Sequence, residues 1–335
     1  MPRLSLNALQ TALERWLLLW LVALSFVAYH WPRWFDPTRV ADPFLAGGAW
    51  LGILIAVTML AVGSLLPREE VGLVVRRWPM VIAGTAIQYT AMPLLAFGLG
   101  KLFGLEGPWL IGIIMVGCVP GAMASNVLTL IARGNVSYSV GLTTSATILS
   151  PLVVPWTLWL TVGHMVEDFP ALKVCGDLCW MVVLPVVCGY QLSRLFTAWR
   201  AVASRMGAII ANLTILWIIA VVVAANREML SQVQAPVFSA LLAVNLGGYL
   251  AGYFGGVTLG LPESMRRALT LEIGMQNAGL GTTLAMRLFP DEPGAALPAA
   301  IYTFGCMCTG TILARLWAEA QRRTDARRER TSARE

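Results

Sequence analysis

The chain has 335 residues, 57% of them hydrophobic and only 13% charged, with a formal net charge of +6. A water-soluble domain carries about 25% charged residues, so this composition excludes a water-facing globule of normal surface and points to one helical membrane domain. The positive excess is no sign of nucleic acid as a partner, because the basic residues fall in short loops and at the C-terminal end.

Apolar runs long enough to cross about 30 Å of hydrocarbon fall at 15–32, 44–66, 79–101, 108–132, 136–162, 171–195, 207–229, 234–260, 266–289 and 294–318. The first run, from Trp16 to Trp31, lacks a small-residue cleavage site and reads as a span rather than a signal peptide. With the N-terminus on the cytoplasmic side, the outer loops hold Arg33, Arg39, Lys101, Lys173, Arg227 and Arg287, and the remaining 18 of the 24 basic residues lie inside. That bias predicts ten spans with both termini cytoplasmic. The expected divisions are an N-terminal segment 1–14, a ten-helix domain 15–318 and a basic tail 319–335 read as a solvated helix end. Short loops and the lack of organellar targeting predict a bacterial inner membrane.

Taken in order, the runs carry few polar groups, and those few stand out. Gln88 sits between Ile87 and Tyr89 in the third. The fourth contains Pro120-Gly-Ala-Met-Ala-Ser-Asn126. Pro120 has no amide hydrogen and Gly121 adds backbone freedom, so a helix is expected to break there. Such a break is tolerated in a membrane only where protein or a water-filled cavity satisfies the freed backbone. Ser139 and Thr143 in the fifth run are four residues apart and share a helical face. The six cysteines (118, 175, 179, 188, 306 and 308) have no histidines at ligand spacing and read as small apolar packers. Pro93, Pro151, Pro155 and Pro185 read as kinks.

The ninth run holds Glu272, followed by Ile273-Gly-Met-Gln-Asn277. An ionised carboxylate at bilayer depth costs about 2.5–3.5 kcal/mol on insertion scales, and no basic residue lies within several positions to neutralise it. The acid, the amides of Gln276 and Asn277 and the loosening Gly274 and Gly279 together suggest a cation site built from oxygen donors. Gly121 precedes Asn126 by five residues, and Glu272 precedes Asn277 by five. Ten spans divide into five and five, which predicts inverted repeats at about 15–162 and 171–318 with the fourth and ninth helices equivalent. No HExxH or Gly-x-Ser-x-Gly motif occurs, so the residues point to an ion-coupled carrier and not to an enzyme. A proton carrier titrating Glu272 and, further off, an ion channel are the alternatives.

At these residues the chain resembles the bile acid:sodium symporter family. Gly117-Cys-Val-Pro-Gly-Ala-Met-Ala-Ser-Asn-Val127, Ala132-Arg-Gly-Asn135 and Ser139-Val-Gly-Leu-Thr143 are similar to its fourth and fifth helices, and Glu272-Ile-Gly-Met-Gln-Asn277 to its ninth. The resemblance implies an all-α fold in which helices 1, 2, 6 and 7 form a panel and the other six a core, with discontinuous helices 4 and 9 crossing. It implies two coupling sodium ions. One would use Ser125, Asn126, Ser139, Thr143 and Glu272. The other would use Gln88, Glu272, Gln276 and the backbone carbonyls of Ile273 and Met275. Asn277, with Asn126, would line the cavity for an organic anion. Relatives that handle bile acids commonly read Trp-His-Asn in the tenth helix, where this chain has Phe304-Gly-Cys-Met307. Sodium coupling is therefore better supported than any steroid substrate, and a smaller organic acid, pantoate-like or keto-acid in kind, fits at least as well as a bile-acid-like anion. No obligate protein partner is implied; membrane lipid surrounds the chain.

Overall fold

A computed structural model describes residue 13 and residues 16–35, 40–66, 78–163, 169–231 and 233–332. Among these the regular elements are helices, and the one β-type pairing joins Gly121 to Gln276. The helices are α1 (Leu17–Trp34), α2 (Leu51–Leu65), α3 (Trp78–Leu102), α4 (Gly107–Cys118), α5 (Ala124–Ile131), α6 (Val136–Thr161), α7 (Ala171–Leu178), α8 (Leu184–Leu195), α9 (Thr197–Ala225), α10 (Ala235–Thr258), α11 (Glu263–Gly274), α12 (Ala278–Leu288) and α13 (Leu297–Ser332).

Six continuous helical segments are long and apolar enough to cross a membrane by length and composition: 78–102, 136–161, 171–195, 197–225, 235–258 and 293–323. Helices α2 and α4 are apolar but shorter. The second predicted run starts with separate turns, Pro43–Ala46 capped by Asp42 and Gly47–Trp50, before α2 begins. The seventh differs most from expectation. Helix α9 begins at Thr197 rather than near 207, so Arg200 and Arg205 lie on its first turns and not in a loop. Helix propensity carries the chain on past the point where hydrophobicity drops. For the same reason α13 runs on to Ser332. Segment 1–12, residues 67–77 between the second and third predicted runs, and His164 lie outside the described residues.

Two groups of helices emerge from the packing. Helix α2 lies against α8 and α9, and α1 lies against α9. In the other group α10 packs on α3 and α11, α3 on α4 and α6, and α13 on α4, α5 and α12. Lipid-embedded helices gain little from hydrophobicity against one another, so close approach through small residues supplies the attraction. Gly248 and Gly252 of α10 lie against the backbone of α11 at Ile273–Gly274 and Leu269–Thr270, where any β-carbon would collide. Pro185 follows a π-helical turn, Cys179–Val183, between α7 and α8; its missing amide disrupts the ladder where the turn widens.

All six cysteines are free thiols. Cys118 and Cys306 are buried packers as expected, but Cys179, Cys188 and Cys308 are exposed on helix surfaces.

Candidate functional site

Helix α4 stops at Cys118 because Val119 turns extended (φ −76°, ψ 158°) ahead of Pro120. Helix α11 stops at Gly274, and Met275 is extended as well. Each break frees backbone groups that hydrocarbon cannot satisfy. They satisfy each other: the Ala122 N–H donates to the Met275 carbonyl at 2.7 Å, and the Asn277 N–H donates to the Pro120 carbonyl at 2.8 Å. The two interruptions, about 150 residues apart in sequence, are thereby stitched into one short antiparallel pair.

Glu272 projects from the last turn of α11 into this junction and is 0% exposed. Its Oε2 accepts from the Ser125 hydroxyl at 2.5 Å and from the Thr143 hydroxyl at 2.8 Å. Three helices thus converge on one carboxylate: α11 supplies the acid, α5 and α6 the hydroxyls. The same Thr143 oxygen lies 3.1 Å from the Ser139 carbonyl and 3.5 Å from Asn126 Oδ1. The Ser139 hydroxyl itself faces Thr129, 3.3 Å away. Four of the five residues expected at the first ion site are thus gathered here, while the Ser139 hydroxyl faces Thr129 and its carbonyl accepts from Thr143 within α6.

Of the residues expected at the second site, Gln88, Gln276 and Ile273 are joined by successive contacts. Gln88 of α3 is 1% exposed, and its amide nitrogen lies 3.5 Å from Gln276 Oε1. Gln276 in turn donates to the Ile273 carbonyl at 2.6 Å. The Met275 carbonyl is the departure, since the Ala122 N–H already uses it. Asn277 is half-buried and caps α12, its Oδ1 accepting the Leu280 N–H at 3.1 Å, and Asn126 is half-buried across the junction.

The donor set can hold a hard cation. Glu272 Oε1 and Gln88 Oε1 are buried, and among the described residues neither has a hydrogen-bond partner. A buried acceptor left unpaired costs about 1–3 kcal/mol, more when charged. A cation ligated by both oxygens would remove that cost. Hydroxyl, amide and carbonyl oxygens with one carboxylate match the preference of a hard ion. Among the described residues no three His, Cys, Asp or Glu side chains gather to hold a metal of another kind.

Asn245, Tyr302 and Asp177 are buried polar groups that the sequence did not mark as part of the site. Asn245 of α10 and Tyr302 of α13 both donate to the Gly274 carbonyl at 2.7 Å, and Thr309 donates to Asn245 Oδ1 at 2.7 Å. They fasten the broken end of α11 to two neighbouring helices. Asn245 is an amide at bilayer depth, as Gln88 is, and the same criterion would have found it. Asp177, between Cys175 and Cys179, is a second acid inside an apolar run and is 6% exposed. Its partner is Arg287, at 2.7 Å.

Residues 52–233 match the profile of the Sodium Bile acid symporter family. The chain is 32% identical over 308 residues to a sodium-dependent transporter, YocS, of Bacillus subtilis (strain 168), covering 92% of both chains. It is 31% identical over 269 residues to a probable chloroplastic sodium/metabolite cotransporter, BASS1, of Arabidopsis thaliana, covering 80% of this chain and 66% of that one. Human sodium/bile acid cotransporter 4 is 28% identical over 251 residues, 72% of this chain and 57% of its own length.

Proposed function

Since the chain belongs to the sodium bile acid symporter family, a family of sodium-dependent membrane transporters and not of enzymes, we propose that it is a symporter that couples two sodium ions to a small organic anion. The observation that carries this reading is Glu272, wholly buried between the two paired helix breaks with one oxygen unpartnered. One ion would bind Glu272 with Ser125, Asn126, Thr143 and the Ser139 carbonyl. The second would bind Glu272 with Gln88, Gln276 and the Ile273 carbonyl, and the Met275 carbonyl through its remaining lone pair. The anion would lie beside Asn277 and Asn126, where the N-termini of α12 and α5 point their positive ends.

In this reading the helices form ten spans in two inverted halves, about 15–162 and 171–318, within a domain 15–318 whose termini both face the cytoplasm of a bacterial inner membrane. The pairing of α4–α5 with α11–α12 at equivalent breaks supports the inverted repeat. The packing of α1, α2, α8 and α9 apart from the rest supports a panel against which the core rocks. Sodium acts by binding one state better than the other, because equal affinity would shift nothing. Two ions with a monoanion carry one net charge inward, worth about 2.3 kcal/mol per 100 mV. The apolar Cys306 and Met307 favour a pantoate-like or keto-acid anion over a steroid.

A thermal-shift screen of small carboxylates on the purified protein, with sodium varied at fixed pH, tests the reading. A carboxylate that stabilises only in sodium is expected. Stabilisation that follows pH and ignores sodium would instead favour a proton carrier. Sodium-driven transport by Glu272→Ala at the normal rate would overturn the site.

A further inference from the structure

We propose that Asp177 and Arg287 form the latch that closes the transport path at the end of the molecule where α12 terminates; the inference rests on the alternating-access reading above. Asp177 belongs to α7, which packs on α6 and runs through the π-helical turn into α8 against α2, and Arg287 belongs to the last turn of α12, so the contact ties the α7–α8 segment to α12. Both carboxylate oxygens are used: Arg287 Nε donates to Asp177 Oδ2 at 3.2 Å and its terminal nitrogen to Oδ1 at 2.7 Å. Such a paired, planar fit is geometrically demanding and fails after small displacements. Trp180 Nε1 adds a third donor to Oδ1 at 3.1 Å, and Arg287 stacks over the Trp180 ring with its carbon 5.6 Å from the ring centre.

A third element completes the contact. Gly52 of α2 sits where a β-carbon would lie 3.0 Å from Trp180 and 3.2 Å from Arg287. The seam on this side is shut. Leu110–Cys118 of α4 and Ala278–Ala285 of α12 are buried at every position. Helix α5, which follows the other break as α12 follows its own, exposes Val127, Leu130 and Ile131. Opening the seam between α12 and the panel must separate Asp177 from Arg287, and the buried acid would lose its charge partner. The pair therefore biases the resting protein toward closure at this end, and ion and substrate binding must outweigh that bias to open it.

A cysteine reporter tests the latch in the full chain. In a background with the six native cysteines replaced, Gly279→Cys places a thiol where the β-carbon faces Ile215 of α9 at 3.6 Å, across the seam. Intact cells are treated with a membrane-impermeant maleimide. Arg287→Gln and Asp177→Asn are each expected to raise the labelling rate about tenfold, the change that follows from a bias of about 1.4 kcal/mol. The exchanged pair, Asp177→Arg with Arg287→Asp, is expected to return it toward the parent rate, which a misfolded variant would not do. Labelling of both single variants at the parent rate, or of the exchanged pair at the single-variant rate, would overturn the proposal. Sodium is varied on the parent reporter as a separate arm. A parent blind to sodium, with fast-labelling single variants, would count against sodium coupling and leave the latch in place.

Discussion

Gly121 lies so close to Glu272 that a side chain at 121 would occupy the space of carboxylate Oε1. The glycine therefore does more than loosen a helix. It lets one broken segment pass directly over the acid of the other, where the two backbones pair.

Gly121→Ala is expected to lose sodium-dependent uptake while the protein still inserts. The added methyl group either displaces the carboxylate or parts the Ala122–Met275 and Asn277–Pro120 bonds. Overpacking of this size costs typically 1–3 kcal/mol, which thermal unfolding in detergent would detect. A variant with unchanged sodium dependence would show that the close approach has no role in ion binding.

The two hydroxyls on Glu272 Oε2 differ in what else they touch. Ser125 contacts the carboxylate at 2.5 Å, whereas Thr143 also reaches Ser139 and Asn126. Thr143→Val is expected to raise the sodium concentration needed for half-maximal transport by about tenfold or more, given about 1.5–3 kcal/mol for a hydrogen bond to a charged group. Ser125→Ala should act in the same direction. Initial-rate uptake against sodium at saturating substrate measures both.

In the proposed arrangement Gln88 would serve only the second ion. Gln88→Ala is expected to flatten the sodium dependence, from a slope above one toward one, and to leave one tight ion. Equilibrium binding of radioactive sodium would count the ions directly. Two ions bound with unaltered affinity would remove Gln88 from the site.

Tyr302 and Asn245 both donate to the Gly274 carbonyl. Tyr302→Phe deletes one of two donors on that carbonyl, with an expected loss of about 0.5–1.5 kcal/mol of stability. Since Gly274 adjoins Ile273 and Met275, the sodium affinity should fall as well. Comparing the sodium-induced thermal shift of Tyr302→Phe with that of the parent separates positioning from mere support: an equal shift at lower stability would mean support alone.

Much of the site was legible because hydrocarbon makes polar groups conspicuous. Gln88, Asn126 and Glu272 each interrupt an apolar run, and Pro120 and Gly121 announce the break beside them. Ser139 is expected in the site, yet its hydroxyl faces Thr129 and its carbonyl accepts from Thr143 within α6. Which atom of a residue faces a site depends on its rotamer, and a letter does not encode that. Asn245 and Asp177 were equally visible as letters. They went unread because their roles depend on partners at Gly274 and Arg287, 29 and 110 residues away.

Periodicity and composition by themselves determined that the chain is helical and membrane-embedded, where it breaks, and which residue types sit at bilayer depth. These follow from local chemistry: the lack of water in the bilayer and the missing amide of proline act on each segment alone. Only the tertiary structure decided that the breaks at 119–123 and 275–277 satisfy one another's backbone, that one carboxylate accepts from hydroxyls of α5 and α6, and that a second acid pairs with an arginine of α12. Those outcomes depend on how helices far apart in sequence pack through glycine contacts at Gly121, Gly248 and Gly252, and packing is a property of the assembled surfaces.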